Sequence, residues 1–435
     1  MRPSVLTLRL LALWALLGLA ASIWPSVLWW PWLGAAALLL LVLLADGLTL
    51  PRKSALSAAR VAPGRFALGV PSEVTLTLRH TLRRPLRVLV HDGLPPRGIA
   101  RGLPWHGVLP PDEHVDLCYD AHFTQRGMQT FSDAHILANS WLGLWRRLYR
   151  IGGLTQTRCY PNYEPVVRFA LLATANREEQ MGIVKRRRMG ATLDFHQLRE
   201  YQDGDILSRV DWKATSRRQN LISRDYEEQR NQTLILVPDC GRRMRAMDGE
   251  LSQFDHCLNA MLLIAYIALK QGDEVGVVGF GGTKRSLKPV KGTPAMPKLL
   301  NHLYDYETTT EPSDFTEAAE RVMALQKRRA LIILMTNLRS EDSSHLMKGV
   351  RLMQRRHLVL VATLREAEME KRAAQPIGNL HDALGYGALC HYFQQRSHLL
   401  DTLRANRIFT VDETAQNLPV ALANEYLDLK AAGRI

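Results

Sequence analysis

Hydrophobic and polar positions divide the chain into stretches with different patterns. The first is an uncharged apolar run, Leu10–Ala45, which contains Pro25 and Pro31. One helix of 36 residues would be about 54 Å long, against a hydrocarbon core of about 30 Å, and proline ends or kinks helices. We therefore predict a hairpin of two membrane-spanning helices, about Leu6–Ile23 and Trp29–Ala45.

The second stretch, residues 54–165, has the alternating pattern of β strands. Val74, Leu76 and Leu78 alternate with polar residues, and Pro-Gly, Pro-Pro and Asp-Gly pairs separate such runs. Period-two alternation over short runs with these turn signals is typical of an antiparallel sandwich. We predict a small β-sandwich domain here, behind a hairpin that occupies residues 1–50.

The third stretch, residues 231–435, alternates apolar runs with helical periodicity. The predicted strands are Thr233–Val237, Glu274–Gly279, Ala330–Met335, Leu358–Thr363 and Ile408–Val411. The predicted helices are Phe254–Lys270, Thr316–Gln326, Ser344–Arg355, Tyr392–Ala405 and Asn417–Lys430. Wholly apolar strands between helices indicate a buried parallel sheet with helices on both faces. We predict a doubly wound α/β domain, which would bind ligands at the carboxyl ends of its strands.

Charge sets the expected topology. The chain carries 56 Lys and Arg against 42 Asp and Glu, which gives +14, and residues 1–160 alone carry +9. Arg2 precedes the first span, Arg9 lies one turn inside it, and Arg52 and Lys53 follow the second span. The positive-inside rule then places both ends, and the domains behind them, on the cytoplasmic side of a bacterial inner membrane. A cleaved signal peptide is the alternative for the first run, and a solvated basic surface without a partner is the alternative for the basic half.

Several short motifs are weak candidates for chemistry. Five scattered cysteines argue against a disulfide framework. Gly279–Lys284 lacks the order of a phosphate-binding loop, so we predict a hairpin turn. The pairs His256-Cys257 and Cys390-His391 lack zinc-type spacing. Cys240 is a candidate reactive thiol, with a structural thiol as the alternative.

Residues 185–230 connect the two predicted domains and are rich in interleaved charge, with 11 basic and 8 acidic residues. Interleaving at this density predicts a self-pairing network, because buried charges must be matched. The candidate members are Arg199, Arg224, Asp205 and Asp211. Trp212 is the predicted apolar anchor. A nucleic-acid patch, with Lys185–Arg188 on phosphates, is the alternative, and the acidic residues argue against it.

This segment also carries a resemblance. Leu198–Asp205, Val210–Arg218 and Leu221–Arg230 resemble the signature of domain-of-unknown-function family 58, whose members are MoxR-associated proteins with a von Willebrand factor A-like domain. Ser140–Arg147 is similar to a run that usually ends the family's β domain. The signature positions are Arg199, Glu200, Tyr201, Gly204, Asp205, Asp211, Trp212, Lys213 and Arg224. The resemblance implies work beside a MoxR-type AAA+ ATPase in the assembly or maturation of client proteins.

The resemblance also implies a comparison with the Mg²⁺ site of A-type domains, whose first motif is Asp-x-Ser-x-Ser. Here that motif reads Asp239-Cys240-Gly241-Arg242-Arg243, the later Thr corresponds to Thr316, and Asn337 stands where the final Asp is expected. A guanidinium about 5 Å from a cation costs on the order of 3 kcal/mol per cationic charge at an effective dielectric of 20. We therefore predict no tight Mg²⁺ site and no cofactor. Arg242 and Arg243 would instead take a partner's carboxylate, or pair with local acids such as Asp314.

Together these observations predict a membrane-anchored adaptor without enzymatic activity. Its partner face would consist of Asp239, Arg242, Arg243, Thr316 and Asn337, and no nucleic acid is expected to bind. The alternatives are a metal-dependent hydrolase using Asp239, and a module that binds anionic lipid or nucleic acid through the basic half.

Overall fold

The structure is a computed structural model that describes residues 1–174, 193–201, 210–228, 232–339, 341 and 343–435. These residues fall into two compact units, Met1–Tyr160 and Pro161–Ile435. The predicted family signature segment, 185–230, is described in part. Lys185–Arg188, Gly204 and Asp205 lie outside the described residues.

The first unit begins with two apolar helices, α1 (Val5–Ile23) and α2 (Pro25–Leu48). Trp14 and Trp32 stack with ring centroids 4.8 Å apart and hold the hairpin together. Both helices are long and apolar enough to cross a membrane. The break at Pro25 agrees with the prediction, but the start of the second helix was predicted four residues too late. Pro31 lies inside α2, where it removes one backbone hydrogen bond without ending the helix.

Eleven strands make up the rest of this unit. They are β1 (Arg2–Pro3), β2 (Leu56–Val61), β3 (Arg65–Ala67), β4 (Ser72–His80), β5 (Leu86–Gly93), β6 (Gly98–Arg101), β7 (Trp105–Leu109), β8 (His114–Phe123), β9 (Gly127–Asn139), β10 (Trp145–Ile151) and β11 (Thr155–Tyr160). One sheet has the order β2-β4-β8-β6. The other runs β1-β10-β9-β11-β3, with β5 paired to β9 and β7 paired to β5. Phe66 of the second sheet packs edge-on against Phe123 of the first at 4.7 Å. The alternating apolar residues of both sheets therefore contribute to one core.

The second unit is mixed α/β. Its strands are β12 (Leu193–Glu200), β13 (Ile222–Glu228), β14 (Thr233–Pro238), β15 (Met247–Asp248), β16 (Leu251–Ser252), β17 (Glu274–Val278), β18 (Ser286–Lys291), β19 (Leu331–Met335), β20 (Leu358–Arg365) and β21 (Phe409–Thr414). Its helices are α3 (Glu164–Thr174), α4 (Trp212–Arg218), α5 (Gln253–Lys270), α6 (Met296–Leu303), α7 (Phe315–Leu325), α8 (Ser343–Gln354), α9 (Ala367–Ala373), α10 (Leu380–Ala405) and α11 (Leu418–Ala431).

A six-stranded sheet with the order β18-β17-β14-β19-β20-β21 forms the centre of this unit. Five strands are parallel, and β18 pairs antiparallel at the edge. Along β14, Leu234 and Leu236 enter one hydrophobic cluster, whereas Ile235 and Val237 enter another. Successive side chains point to opposite faces of a strand, so the sheet is buried on both faces. This burial explains the wholly apolar strands in the sequence.

Two boundaries differ from prediction. The first unit ends at Tyr160, five residues before the predicted end of the β domain, because α3 packs against α5 through Phe169 and Tyr266. Helix α10 begins at Leu380, twelve residues before the predicted start at Tyr392. Its first half is exposed, as at Leu380 and Leu384, so it shows little of the periodicity that a core-facing helix would have.

Candidate functional site at the strand ends

Asp239 lies immediately after β14, between two parallel neighbours. The main chain of Asp239 donates to the carbonyl of Met335, the last residue of β19. Its carboxylate is fully buried and accepts hydrogen bonds from the amide of Gly241 at 2.8 Å and the hydroxyls of Ser313 and Thr336 at 2.6 Å each. Three protein donors therefore use the oxygens of this carboxylate.

Two glycines allow the backbone to close over Asp239. A Cβ on Gly241 would lie 2.2 Å from Ser313 Oγ, and one on Gly281 would lie 2.8 Å from Asp239 Oδ1. Gly281 also has φ +75°, in the left-handed region that glycine adopts without penalty. Any larger side chain at these positions would have to displace the contacts that hold Asp239.

Burial raises the pKa of Asp239, and the hydrogen bonds from Ser313, Thr336 and Gly241 and the charge of Arg243 oppose that shift. The charged form is therefore disfavoured in the folded protein. The hydroxyls of Ser313 and Thr336 can donate to a carboxylate or accept from a carboxylic acid, so the site can hold Asp239 in either protonation state.

The Mg²⁺ that A-type domains imply does not fit these residues. Asp239 is enclosed by protein donors, and the guanidinium of Arg243 acts on it electrostatically. Among the described residues, no group of three His, Cys, Asp or Glu side chains is arranged to hold a metal ion. A hard cation would need oxygen ligands that are free to turn toward it, so we assign no chemistry through a metal here.

Arg242 and Arg243 begin a 3-10 turn, Arg242–Arg245, directly after this sealed carboxylate. Arg242 is exposed, and its backbone amide donates to the carbonyl of Glu311 at 3.0 Å. Arg243 donates to Glu341 at 2.9 Å. Arg243 therefore pairs with an acid of its own unit.

Asp314 is the N-cap residue of α7. Its carboxylate accepts from the amides of Thr316 and Glu317 at 2.8 and 3.0 Å, as an N-cap residue does. The hydroxyl that reaches Asp239 belongs to Ser313, one residue before the cap, and Thr316 is half-buried in the first turn of α7. The register indicates the second hydroxyl, because Met335 pairs with Pro238 and Thr336 therefore lies level with Asp239.

Asn337 is buried and bonds inside the unit. Its side-chain amide donates to Gln253 Oε1 at 2.6 Å and to Glu366 Oε1 at 3.0 Å. Asp239 and Asn337 are thus both inaccessible, and the prediction that they contact a partner needs correction. Of the five predicted residues, Arg242, Arg243 and Thr316 retain exposed or half-buried surface.

The prediction missed Arg396, which fastens α10 across the same edge of the sheet. This buried guanidinium donates to Asp412 at 2.6 Å, to the carbonyl of Leu364 at 2.8 Å and to Thr363 Oγ1 at 2.9 Å. It borders a cavity of about 240 Å³ that Glu366 and Tyr392 also line. The sequence did hold a signal, because Arg396 precedes Leu399, Leu400 and Leu403 at the spacing of one helix face.

In the signature segment, β12 pairs antiparallel with β13, with Arg199 opposite Ser223 and Arg224 opposite Leu198. Beyond β12, the amide of Tyr201 donates to the carbonyl of Leu221 at 2.8 Å. Glu200, the last residue of β12, is exposed. This pairing brings the beginning and the end of the signature side by side.

Asp211 and Trp212 lie at the start of α4. Asp211 caps α4 by accepting from the amides of Lys213 and Ala214 at 3.0 Å each. Trp212 is 66% exposed, so it is not the apolar anchor of this segment. Asp211 therefore precedes the start of α4, and the indole of Trp212 at the first helical position is exposed to solvent.

The weaker candidates resolve as structural features. Gly279–Lys284 joins the antiparallel strands β17 and β18, which confirms the predicted hairpin turn. Cys240 is buried, and its Sγ lies 3.8 Å from the carbonyl of Pro238. It therefore has no access to a reactant.

Comparisons with known proteins bear on the same unit. Residues 197–376 match a family model described as "Protein of unknown function DUF58". The chain is similar to "Uncharacterized protein YeaD" of Bacillus subtilis (strain 168), with 24% identity over 292 residues, or 63% of this chain and 68% of that protein.

Two solved structures show only slight likeness. A FixG-related protein from Vibrio parahaemolyticus covers 24% of this chain and 96% of its own, with 7% identity and a TM-score of 0.19. Proximal thread matrix protein 1 from the mussel byssus covers 47% of this chain and 48% of its own, with 12% identity and a TM-score of 0.26. Neither likeness bears on the fold. Residues 197–376 are thus similar to the family whose signature the sequence resembles.

Proposed function

We propose that this protein is a membrane-anchored adaptor that binds other proteins, among them a MoxR-type AAA+ ATPase, in assembly or maturation of client proteins. The hairpin α1–α2 would span the bacterial inner membrane, with both units in the cytoplasm. The unit Pro161–Ile435 would be a doubly wound domain of von Willebrand A type. The order and direction of β14, β17, β19, β20 and β21 support that assignment.

One observation carries the proposal. The carboxylate at the strand ends is sealed by protein donors, whereas the guanidinium of Arg242, three residues later, is exposed. An enclosed carboxylate does not reach a substrate, but an exposed guanidinium offers a fork of donors to a carboxylate on another protein. The strand ends would thus recognise an acidic surface.

The test is capture from native membranes with full-length tagged protein, followed by identification of proteins with Walker motifs by mass spectrometry. We expect an AAA+ ATPase with the wild type and at least a tenfold loss of it after Arg242→Glu with Arg243→Glu. The matched control is Arg355→Glu with Arg356→Glu, two exposed arginines of the same unit. Unchanged recovery in the first variant would refute the face, and failure to recover any AAA+ protein would refute the partner class.

Isothermal titration with Mg²⁺ or Mn²⁺ separates the adaptor from a metal-dependent hydrolase. We expect no binding in the micromolar range. Micromolar binding that Asp239→Ala abolishes would support the hydrolase instead.

A further inference from the structure

The place where the two helices leave the first unit is firmly built. The indole of Trp145 donates to the carbonyl of Leu43 at 2.8 Å. Arg84 donates to the carbonyl of Thr49, and Tyr149 donates to that of Pro51. Leu43 lies near the end of α2, and Thr49 and Pro51 follow it. These side chains therefore attach the end of α2 and the chain that follows to the β domain.

A buried carboxylate joins the same helix to the loop before β10. Asp46 is 2% exposed, and it accepts from the amides of Leu142 and Leu144 at 2.8 and 3.1 Å and from the hydroxyl of Ser140. The first helix holds the loop too, because the amide of Ser4 donates to the carbonyl of Leu144 at 2.8 Å. Both helices therefore fix the backbone of residues 140–144.

This fixed loop presents two apolar side chains outward. Trp141 is 73% exposed and Leu142 is 49% exposed, and the amide of Trp141 donates to Thr49 Oγ1 at 3.1 Å. They therefore lie beside the end of α2. Tryptophan is enriched at the membrane–water interface because its ring is amphipathic.

Cations surround this position. Arg2 lies directly opposite Arg146 in the antiparallel pair β1–β10, an arrangement in which like charges repel. Arg52 and Lys53 are exposed just after α2. Within the part of the chain that the structure describes, none of these four makes an ion pair with an acidic side chain.

The excess of cations over acids at the exit follows from the local composition of the sequence. Residues 1–53 and 140–150, which flank the exit, contain seven Lys and Arg residues and a single acid, Asp46. Asp46 is buried and its oxygens are used by the loop. We name the set Arg2, Arg52, Lys53 and Arg146, with Trp141 and Leu142, the helix-exit collar.

We propose that the helix-exit collar is a binding site for the headgroup of an anionic phospholipid. The cations would hold the phosphate, while Trp141 and Leu142 enter the interfacial layer. The inference rests on the membrane anchor proposed above, since it places the collar at the level of the headgroups. A phosphate between Arg2 and Arg146 would relieve their repulsion, and anionic lipid attracts basic residues next to membrane helices.

Nucleic acid offers the same phosphate chemistry, but it does not fit the rest of the collar. Its occupant must meet two exposed apolar side chains at the end of an uncharged helix. A lipid provides a charged headgroup next to an apolar layer, whereas a nucleic acid would leave that helix without apolar surroundings.

The test uses the full chain in neutral detergent, mixed with equimolar phosphatidylglycerol and phosphatidylcholine, and native mass spectrometry of the bound lipid. We expect at least a tenfold preference for phosphatidylglycerol. Arg2→Gln, Arg52→Gln and Arg146→Gln together should reduce it to about twofold or less. Arg84 is left unchanged because it donates to the carbonyl of Thr49, just after α2.

The matched control removes three charges from the other unit, by Lys327→Gln, Arg328→Gln and Arg355→Gln, and should keep the preference. Trp141→Ala with Leu142→Ala should lower total lipid retention several-fold and leave the preference. Thermal unfolding checks that each variant is folded. Asp46 and its donors are unchanged in all of them, so the loop should remain in place.

Equal retention of both lipids by the wild type would overturn the collar. Equal displacement of lipid by glycerol phosphate or by a DNA oligonucleotide would also overturn it, because the apolar part would then contribute nothing. Alkaline carbonate washing of native membranes separates this outcome from failure of the anchor. A protein released by the wash lacks the anchor, whereas an embedded protein without lipid preference refutes the collar alone.

Discussion

The helix exit and the strand ends both contain a buried aspartate, but the two sites are built differently. Asp46 accepts from two backbone amides and a serine, so it fixes the course of one loop. Asp239 accepts from one amide and two hydroxyls, so it joins side chains of three segments. Among the residues that the structure describes, the four cations of the helix-exit collar make no ion pair with an acidic side chain, whereas Arg243 at the strand ends pairs with Glu341. In both sites the buried acid holds its surroundings in place, and the lipid site proposed above depends on the cations around Asp46.

The largest effect on stability should come from Arg396, a buried charge that belongs to neither aspartate site. Arg396→Met removes one member of the buried pair with Asp412, whose side chain is 13% exposed. Leaving a buried charge without its partner costs about 3–5 kcal/mol. Chemical denaturation of the full chain should show that loss, and Arg396→Met with Asp412→Leu should recover most of it. A single variant as stable as the wild type would contradict a structural role for this pair.

Asp46→Ala should come next, with a loss of about 3 kcal/mol. The change leaves two amides and a hydroxyl without their acceptor, and each buried unsatisfied group costs about 1–3 kcal/mol before water enters. Thermal unfolding in detergent measures the loss. Glu113→Ala, an exposed acid of the same unit, is the control and should change little.

Asp239→Ala should cost about 2 kcal/mol, somewhat less than Asp46→Ala, because freed hydroxyls can turn toward other acceptors whereas backbone amides cannot. Denaturation midpoints of the two alanine variants test the order. A reversed order would show that side-chain donors hold their acceptor as strictly as backbone donors do.

Asp239→Asn sharpens the comparison through pH. Burial raises the pKa of Asp239 in the folded state, while the unfolded chain keeps a value of about 3.9. The folded state then binds more protons between the two values, so the stability of the wild type falls as pH rises through the raised pKa. The asparagine variant lacks this titration. We expect the wild type to lose stability relative to it from pH 4 upward, and a constant difference would contradict the raised pKa.

The smallest effect should be that of Arg243→Gln. Glu341 is 78% exposed in its side chain, and pairs near solvent contribute about 0–1 kcal/mol. Denaturation should therefore detect a loss below about 1 kcal/mol. A larger loss would show that Arg243 stabilises Asp239 as well as Glu341.

Secondary structure was predicted best from the sequence where hydrophobic burial alone determines the residue pattern. The inner strands β14, β17, β19 and β20 are largely apolar because both faces are buried, and their bounds agree with prediction to within a few residues. Helices α4, α6 and α9 have eight residues or fewer. They are too short for helical periodicity to distinguish them from loops.

Site residues were harder to predict because they depend on contacts between distant segments. Ser313 lies 74 residues from Asp239, and no sequence pattern links the two residues. Trp212 looked like core by residue type, yet its place at the start of α4 leaves it exposed. An interleaved charge pattern predicts pairing in general, but not which aspartate caps a helix.

The bonds that attach the end of α2 to the β domain have a mechanical consequence. Three side chains, those of Arg84, Trp145 and Tyr149, donate to carbonyls between residues 43 and 51. The hairpin is therefore joined to the strands without a freely rotating linker. A partner that pulls on this β domain would transmit the load directly to the hairpin, with no slack linker to absorb it. The orientation of the domain about the helix axis is set by the same three bonds.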